Sequence, residues 1–293
     1  MKVKIIVSST IAAALLLLSS YTLLDGGEEK SQAILRTMIN GMKYYHYQPQ
    51  RINDDFSHNV YGQYLKRLDF NKRFFTVRDI QNLSKYEFRL DDEIEQQSYE
   101  MFDLSMNIFE QRVKEAETYM EEILTEPFDF DKDEVMKLDP EKMEYADDEQ
   151  AVEERWRQLL KYQTLSRLNA ALKRQEKAKN EGDEKIEIKS FTELEAEARG
   201  KVLKNNRRYF ASIKKRDRND RVSDYMNAIL NIYDPHTGYY PPKDKENFDI
   251  SISGQFQGIG AQLQETEEGY IKVIRIIPGS ACYRQGDLAV GDL

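Results

Sequence analysis

The sequence predicts an α+β protein: a mostly α-helical N-terminal domain followed by a β-rich module. Three observations carry that reading. From Gln32 to about Tyr233 apolar residues recur at spacings of three and four, with almost no glycine or proline between them. After Tyr233 the composition shifts to glycine, proline and β-branched residues. Ala261 and Leu263 then alternate with Gln262 and Gln264, the period-two mark of a half-buried strand.

The helical elements follow in order. Ala33, Ile34, Met38, Met42 and Tyr45 share one face of a first helix, which Pro49 closes because the residue before a proline avoids helix. Asp54-Asp-Phe-Ser57 caps a second helix carrying Val60, Tyr64 and Leu68. The stretch from Leu68 to Thr76 reads as a turn with anchoring aromatics. Thr76-Val-Arg-Asp79 has the threonine and acid spacing of a capping box. One long helix is expected next, with Ile94, Phe102, Met106, Phe109, Val113, Met120 and Ile123 inward and Pro127 as its stop.

The acidic run from Asp129 to Asp148 reads as a solvated loop or short helix. Val152, Trp156, Leu159, Leu165, Leu168 and Leu172 trace another helix, capped near Asp147. Lys179 to Glu184 has linker composition. Two further helices are expected over about Phe191–Lys215, with Gly200 inside, and Asp220–Tyr233. In the β-rich module Glu267-Glu-Gly269 turns the chain between the first strand and a second one from Tyr270 to Ile277, and Ile277-Pro-Gly-Ser-Ala-Cys282 opens a short helix.

Composition bounds the function classes. The chain has 293 residues, 40% apolar and 32% charged, with a net charge of −9. That balance argues against nucleic acid as a general partner. Lys201 to Arg221 holds nine basic residues against two acidic ones and reads as a solvated helix face. Lys2 and Lys4 precede twenty uncharged residues, Ile5 to Leu24, and Asp25 restores polarity, which marks export. The segment serves as a cleaved signal or as a retained membrane anchor; both readings stand, and either places the rest outside the cytoplasm.

Cys282 is the only cysteine, so no internal disulfide forms, and it reads as a small packing residue. The three histidines, His46, His58 and His236, lack metal-ligand spacing. No metal and no cofactor are expected. Gly258-Ile-Gly-Ala261 sits where a strand begins. Two glycines there let backbone N–H groups converge on a carboxylate, while the strand offers its edge to an extended peptide. A β-bulge or tight turn is the plainer reading of the same residues.

Asp234-Pro-His-Thr237, Gly258-Ile-Gly-Ala261, Pro278-Gly-Ser-Ala281 and Val290-Gly-Asp292 stand in an order that resembles the tail-specific, or carboxy-terminal processing, proteases. Upstream, Leu68-Asp69, Phe74-Phe75 and Val77-Arg-Asp-Ile80 resemble the helical domain of the long members. The resemblance implies a signal peptide or anchor over 1–25, a helical domain over 30–235 and the first half of a PDZ domain over 240–293. It implies a periplasmic serine endopeptidase that captures apolar C-terminal tails of protein substrates and cuts them with a serine–lysine pair. Gly258, Ile259, Gly260 and Ala261 match the carboxylate-receiving loop, with Gln262 and Leu263 on the pairing strand, so Gly260→Asp is expected to weaken tail binding.

Asp234, His236 and Thr237 match a structural turn of that family. No serine or lysine up to Leu293 matches the catalytic pair, so catalytic residues are none here and the chain alone is expected to be inactive. A non-enzymatic periplasmic adaptor, whose PDZ-like module binds envelope proteins, is the alternative. An envelope adaptor protein is also an expected partner of the protease, and the N-terminal segment an expected membrane contact.

Overall fold

The computed structural model describes residues 26–183, 186–241, 244–245, 248–249, 252, 258–266 and 270–293. The apolar segment of residues 5–24, the turn expected at 267–269 and Glu184 of the expected linker lie outside them. The chain divides into two compact units between Tyr239 and Tyr240.

The first unit is helical. Helix α1 spans Gly26–Tyr45 and α2 spans Asp54–Leu68. On α1 the buried residues are Ser31, Leu35 and Met42, while Ala33 and Tyr45 of the expected stripe are exposed. The N-cap of α2 is Asn53, whose side chain accepts from Phe56 N. That is one residue earlier than expected, because the asparagine oxygen does the same work as the aspartate.

The turn after α2 is built around Asp69. Its buried carboxylate accepts from the backbone N–H groups of Arg73, Phe74 and Phe75, which sinks both phenylalanines into the core. Helix α3, Val77–Leu83, starts with the expected capping box of Thr76 and Asp79.

The long helix expected next is two. Helix α4 runs Leu90–Gln96, Gln97 turns left-handed at φ 58°, and α5 runs Glu100–Ile123. The break is closed chemically. Ser98 N donates to Glu93 O at 2.8 Å, and the Glu93 carboxylate accepts from Met101 N at 3.1 Å. Glu93 thereby caps α5, whose own N-cap residue, Tyr99, makes no side-chain cap.

Helix α6 spans Glu149–Glu181 with Asp148 as its cap, and it uses half of the expected linker as its last turn before Gly182. Leu165 and Leu172 are exposed, against expectation. The buried row includes Lys161, Thr164, Leu168 and Gln175; the two leucines stand roughly 40–60° round the helix from Leu168 at 100° per residue.

Helix α7 spans Phe191–Lys215 and passes through Gly200 unbroken; α8 spans Arg218–Tyr233 behind a capping box of Asp217 and Asp220. Trp156, Tyr64, Tyr225, Phe75, Phe102 and Phe210 are the largest fully buried side chains. Their rings pack between helices, edge to face for Tyr64 and Tyr225 at 5.0 Å between centroids and tilted for Trp156 and Phe210 at 5.3 Å. Among the described residues no helix is long and apolar enough to cross a membrane.

In the second unit, strands β1, Ala261–Glu265, and β2, Ile271–Ile276, pair antiparallel, and helix α9, Ala281–Gln285, follows.

Candidate functional site: an open strand edge behind a glycine elbow

Gly260 adopts φ +82°, a conformation that glycine reaches without cost. It makes the elbow through which the chain enters β1. The elbow is held from behind: Ile277 N donates to Gly260 O at 2.8 Å, and Cys282 N donates to Ile259 O at 3.0 Å. Ser280 Oγ also donates to Gly260 O, at 3.3 Å, while accepting from Tyr283 N to cap α9. A Cβ on Gly260 would stand 2.0 Å from Ser280 Cβ, so nothing larger than glycine fits.

The two glycines are therefore unlike, since a Cβ on Gly258 meets nothing within 4 Å. Gly260→Asp would break the elbow itself. It cannot serve as the charge-reversal probe that the sequence suggests.

The register of the pair fixes which backbone groups of β1 face outward. Gly260 and Thr266 both turn theirs toward the second strand, through Ile277 N and Tyr270 O. The register jumps from Gln262↔Arg275 to Leu263↔Val273, so the extra residue of the bulge is Ile274, on β2. Alternation along β1 is unbroken, and the amides of Ala261, Leu263 and Glu265 point away from β2.

Among the described residues no strand flanks β1 on that side. The far side of β2 is already taken, because Val273 N donates to Asp292 O and Gly291 N to Val273 O, both at 2.8 Å. Ile259 and Leu263 are 57% and 50% exposed, placing apolar side chains beside the open edge.

The structure thus brings Ile259, Gly260 and Ala261 together with Ile277, Ser280 and Cys282, and leaves Gln262 and Leu263 on an exposed strand. Sequence reasoning missed Ser280 and Ile277 as the anchors of the elbow. The Pro278-Gly-Ser-Ala run marked a helix start, but nothing local ties it to a glycine twenty residues earlier.

His236 sits in a turn of the helical unit, where the Asp234 carboxylate accepts from His236 N at 2.7 Å and pairs with Nδ1 at 2.9 Å. Those two bonds hold the Asp234 carboxyl below its usual range. Cys282 is a buried free thiol with Ser280 Oγ 3.4 Å from its sulfur. Among the described residues no cluster of ligands fit for a metal ion occurs.

A helical domain followed by an antiparallel β module entered through a glycine elbow defines an α+β class of chain. Residues 38–243 match the tail specific protease N-terminal domain, and the chain belongs to the tail-specific protease family. It is 27% identical over 272 residues to the tail-specific protease of Haemophilus influenzae, a match covering 90% of this chain and 35% of that protein. The chain thus spans about a third of the length of that relative.

Proposed function

We propose that the whole protein is an exported, periplasmic serine endopeptidase whose β module, of PDZ type, captures apolar C-terminal tails of protein substrates for trimming or degradation. The open edge of β1 behind the Gly260 elbow carries this reading. An incoming tail adds a strand along Ala261 to Glu265, its backbone pairing with the outward amides. Its carboxylate lies at the entry of the elbow, among the N–H groups of Gly258 to Ala261, and Ile259 and Leu263 receive apolar side chains. Cleavage falls to a serine–lysine pair, a chemistry that needs no histidine, to which no residue of this chain is assigned.

Membership of a protease family and the apolar segment at residues 5–24, serving as signal or anchor, support the reading. The domain limits proposed are 1–25 for that segment, 30–235 for the helical domain and 240–293 for the PDZ part.

Leu263→Pro tests it. Proline removes one outward amide and leaves the bonds toward β2 intact, a substitution that edge strands tolerate. A peptide with an apolar C-terminus and free carboxylate should lose about tenfold in affinity, while hydrogen exchange at the Val273 amide stays protected. Unchanged affinity would rule out strand addition at β1. Tail binding without cleavage by the full-length protein would favour a non-enzymatic adaptor for envelope proteins.

A further inference from the structure

A cleft of about 520 Å³ lies between α6 and α7 in the helical unit. Arg73 and Arg167 both line it, and both are half-buried. Neither guanidinium has a hydrogen-bond or ion-pair partner among the described residues. Other half-buried or buried arginines of the unit are held: Arg112 by Asp79, Arg157 by Glu134 and Glu154, Arg199 by Glu195.

Arg73 is also deliberately placed. The Asp69 turn fixes its backbone, and Trp156 Nε1 donates to Arg73 O at 2.9 Å. Burial lowers the proton affinity of its guanidinium, opposed only by the Tyr209 phenol and Asp69 acting through space. The Asp69 oxygens are already taken by the three backbone amides.

The other polar groups supply both donors and acceptors: Asn206 Nδ2 donates to Gln163 Oε1 and to Val202 O, which leaves its own Oδ1 as an acceptor. Gln163 Oε1 is used by Asn206 Nδ2 at 2.8 Å, which leaves the Gln163 NH₂ to the cleft. Two unpaired cations and a spare amide donor call for an acceptor-rich anion. The rings of Tyr162 and Tyr209 and the Asn205 amide beside them suit a polypeptide.

We propose that this cleft binds a carboxylate of a polypeptide, gripped by Arg73 and Arg167. Its source is an acidic side chain or a free C-terminus.

Trp156, the only tryptophan, lines the cleft and reports binding by fluorescence. The chain is titrated with acetyl-(Glu)₄-amide, with acetyl-(Ala)₄ bearing a free carboxylate, and with inorganic phosphate. A saturable change is expected with a peptide. Response to the first identifies side-chain carboxylates and response to the second a C-terminus. Arg167→Gln and Arg73→Gln should each weaken binding about tenfold with the far-ultraviolet dichroism unchanged. Arg167 lies on a helix surface, so that variant decides if Arg73→Gln disturbs the turn. The proposal fails if neither peptide saturates, if phosphate binds as tightly as the peptides, or if affinity survives the Arg167 substitution.

Discussion

Glu93 spans the break between α4 and α5, accepting from Met101 N at 3.1 Å, and burial raises its carboxyl from the ordinary 4.5 to about 7. The Met101 amide and Arg89 pull the other way, while Glu100 and Asp103 add to the rise. A group whose folded pKa is raised contributes stability that is complete below its unfolded value and is lost as pH rises through the folded one. Unfolding free energy should therefore fall between about pH 4.5 and 7, with a slope of up to one proton. Glu93→Gln keeps an acceptor for Met101 and should flatten that part of the profile. Urea titrations of both proteins at several pH values compare them, and identical slopes would remove Glu93 as the cause.

Asp79 shows the opposite balance. Burial would raise its carboxyl, but Arg112 and Thr76 outweigh it and hold the group below its usual range. Arg112 donates through Nε at 2.8 Å and Nη2 at 3.0 Å, and both side chains are under a tenth exposed. Arg112→Met should cost about 3–5 kcal/mol, because it strands a buried carboxylate. Asp79→Asn in the same chain keeps the cap and should recover part of the loss. Equal stability of the single and double variants would show that the stranded charge is not the cause.

At the scale of elements, caps were legible and breaks were not. Thr76 with Asp79 announces α3 because both halves of a capping box lie within four residues. The break at Gln97 has no such local signature. Its apolar spacing continues through it, and its closure rests on Glu93 reaching the amide of a residue eight positions on. Gln97 sits at φ 58°, where glycine is at ease. Gln97→Gly should therefore stabilise the protein by about 0.5–1 kcal/mol; a loss of stability in denaturant titrations would mean that the glutamine side chain is needed there.

The basic stretch shows a second limit of local reading. Arg207, Lys214 and Arg218 pair with Glu121, Glu117 and Asp103, all on α5. The charges of α7 and α8 thus form a seam with a helix about a hundred residues away, which no window of sequence displays.

At the scale of the molecule, the division into helical unit and β module was legible because composition changes sharply after Tyr233. The elbow residues were legible too, but not their mechanics. The need for glycine at 260 comes from Ser280, and the outward aim of alternate amides survives because the bulge falls on the opposite strand. The two units also differ in how they are held. Every buried residue of the large core lies between Leu35 and Tyr233, whereas Val273 and Cys282 are the buried apolar side chains described in the module. A core of its own lets the helical unit be expected to fold by itself. A chain trimmed to residues 26–239 should keep its helical dichroism, with a melting midpoint within about 5 °C of the parent. If the trimmed chain instead loses its cooperative transition, the helical core depends on residues after Tyr239, and the division at that point is not a folding boundary.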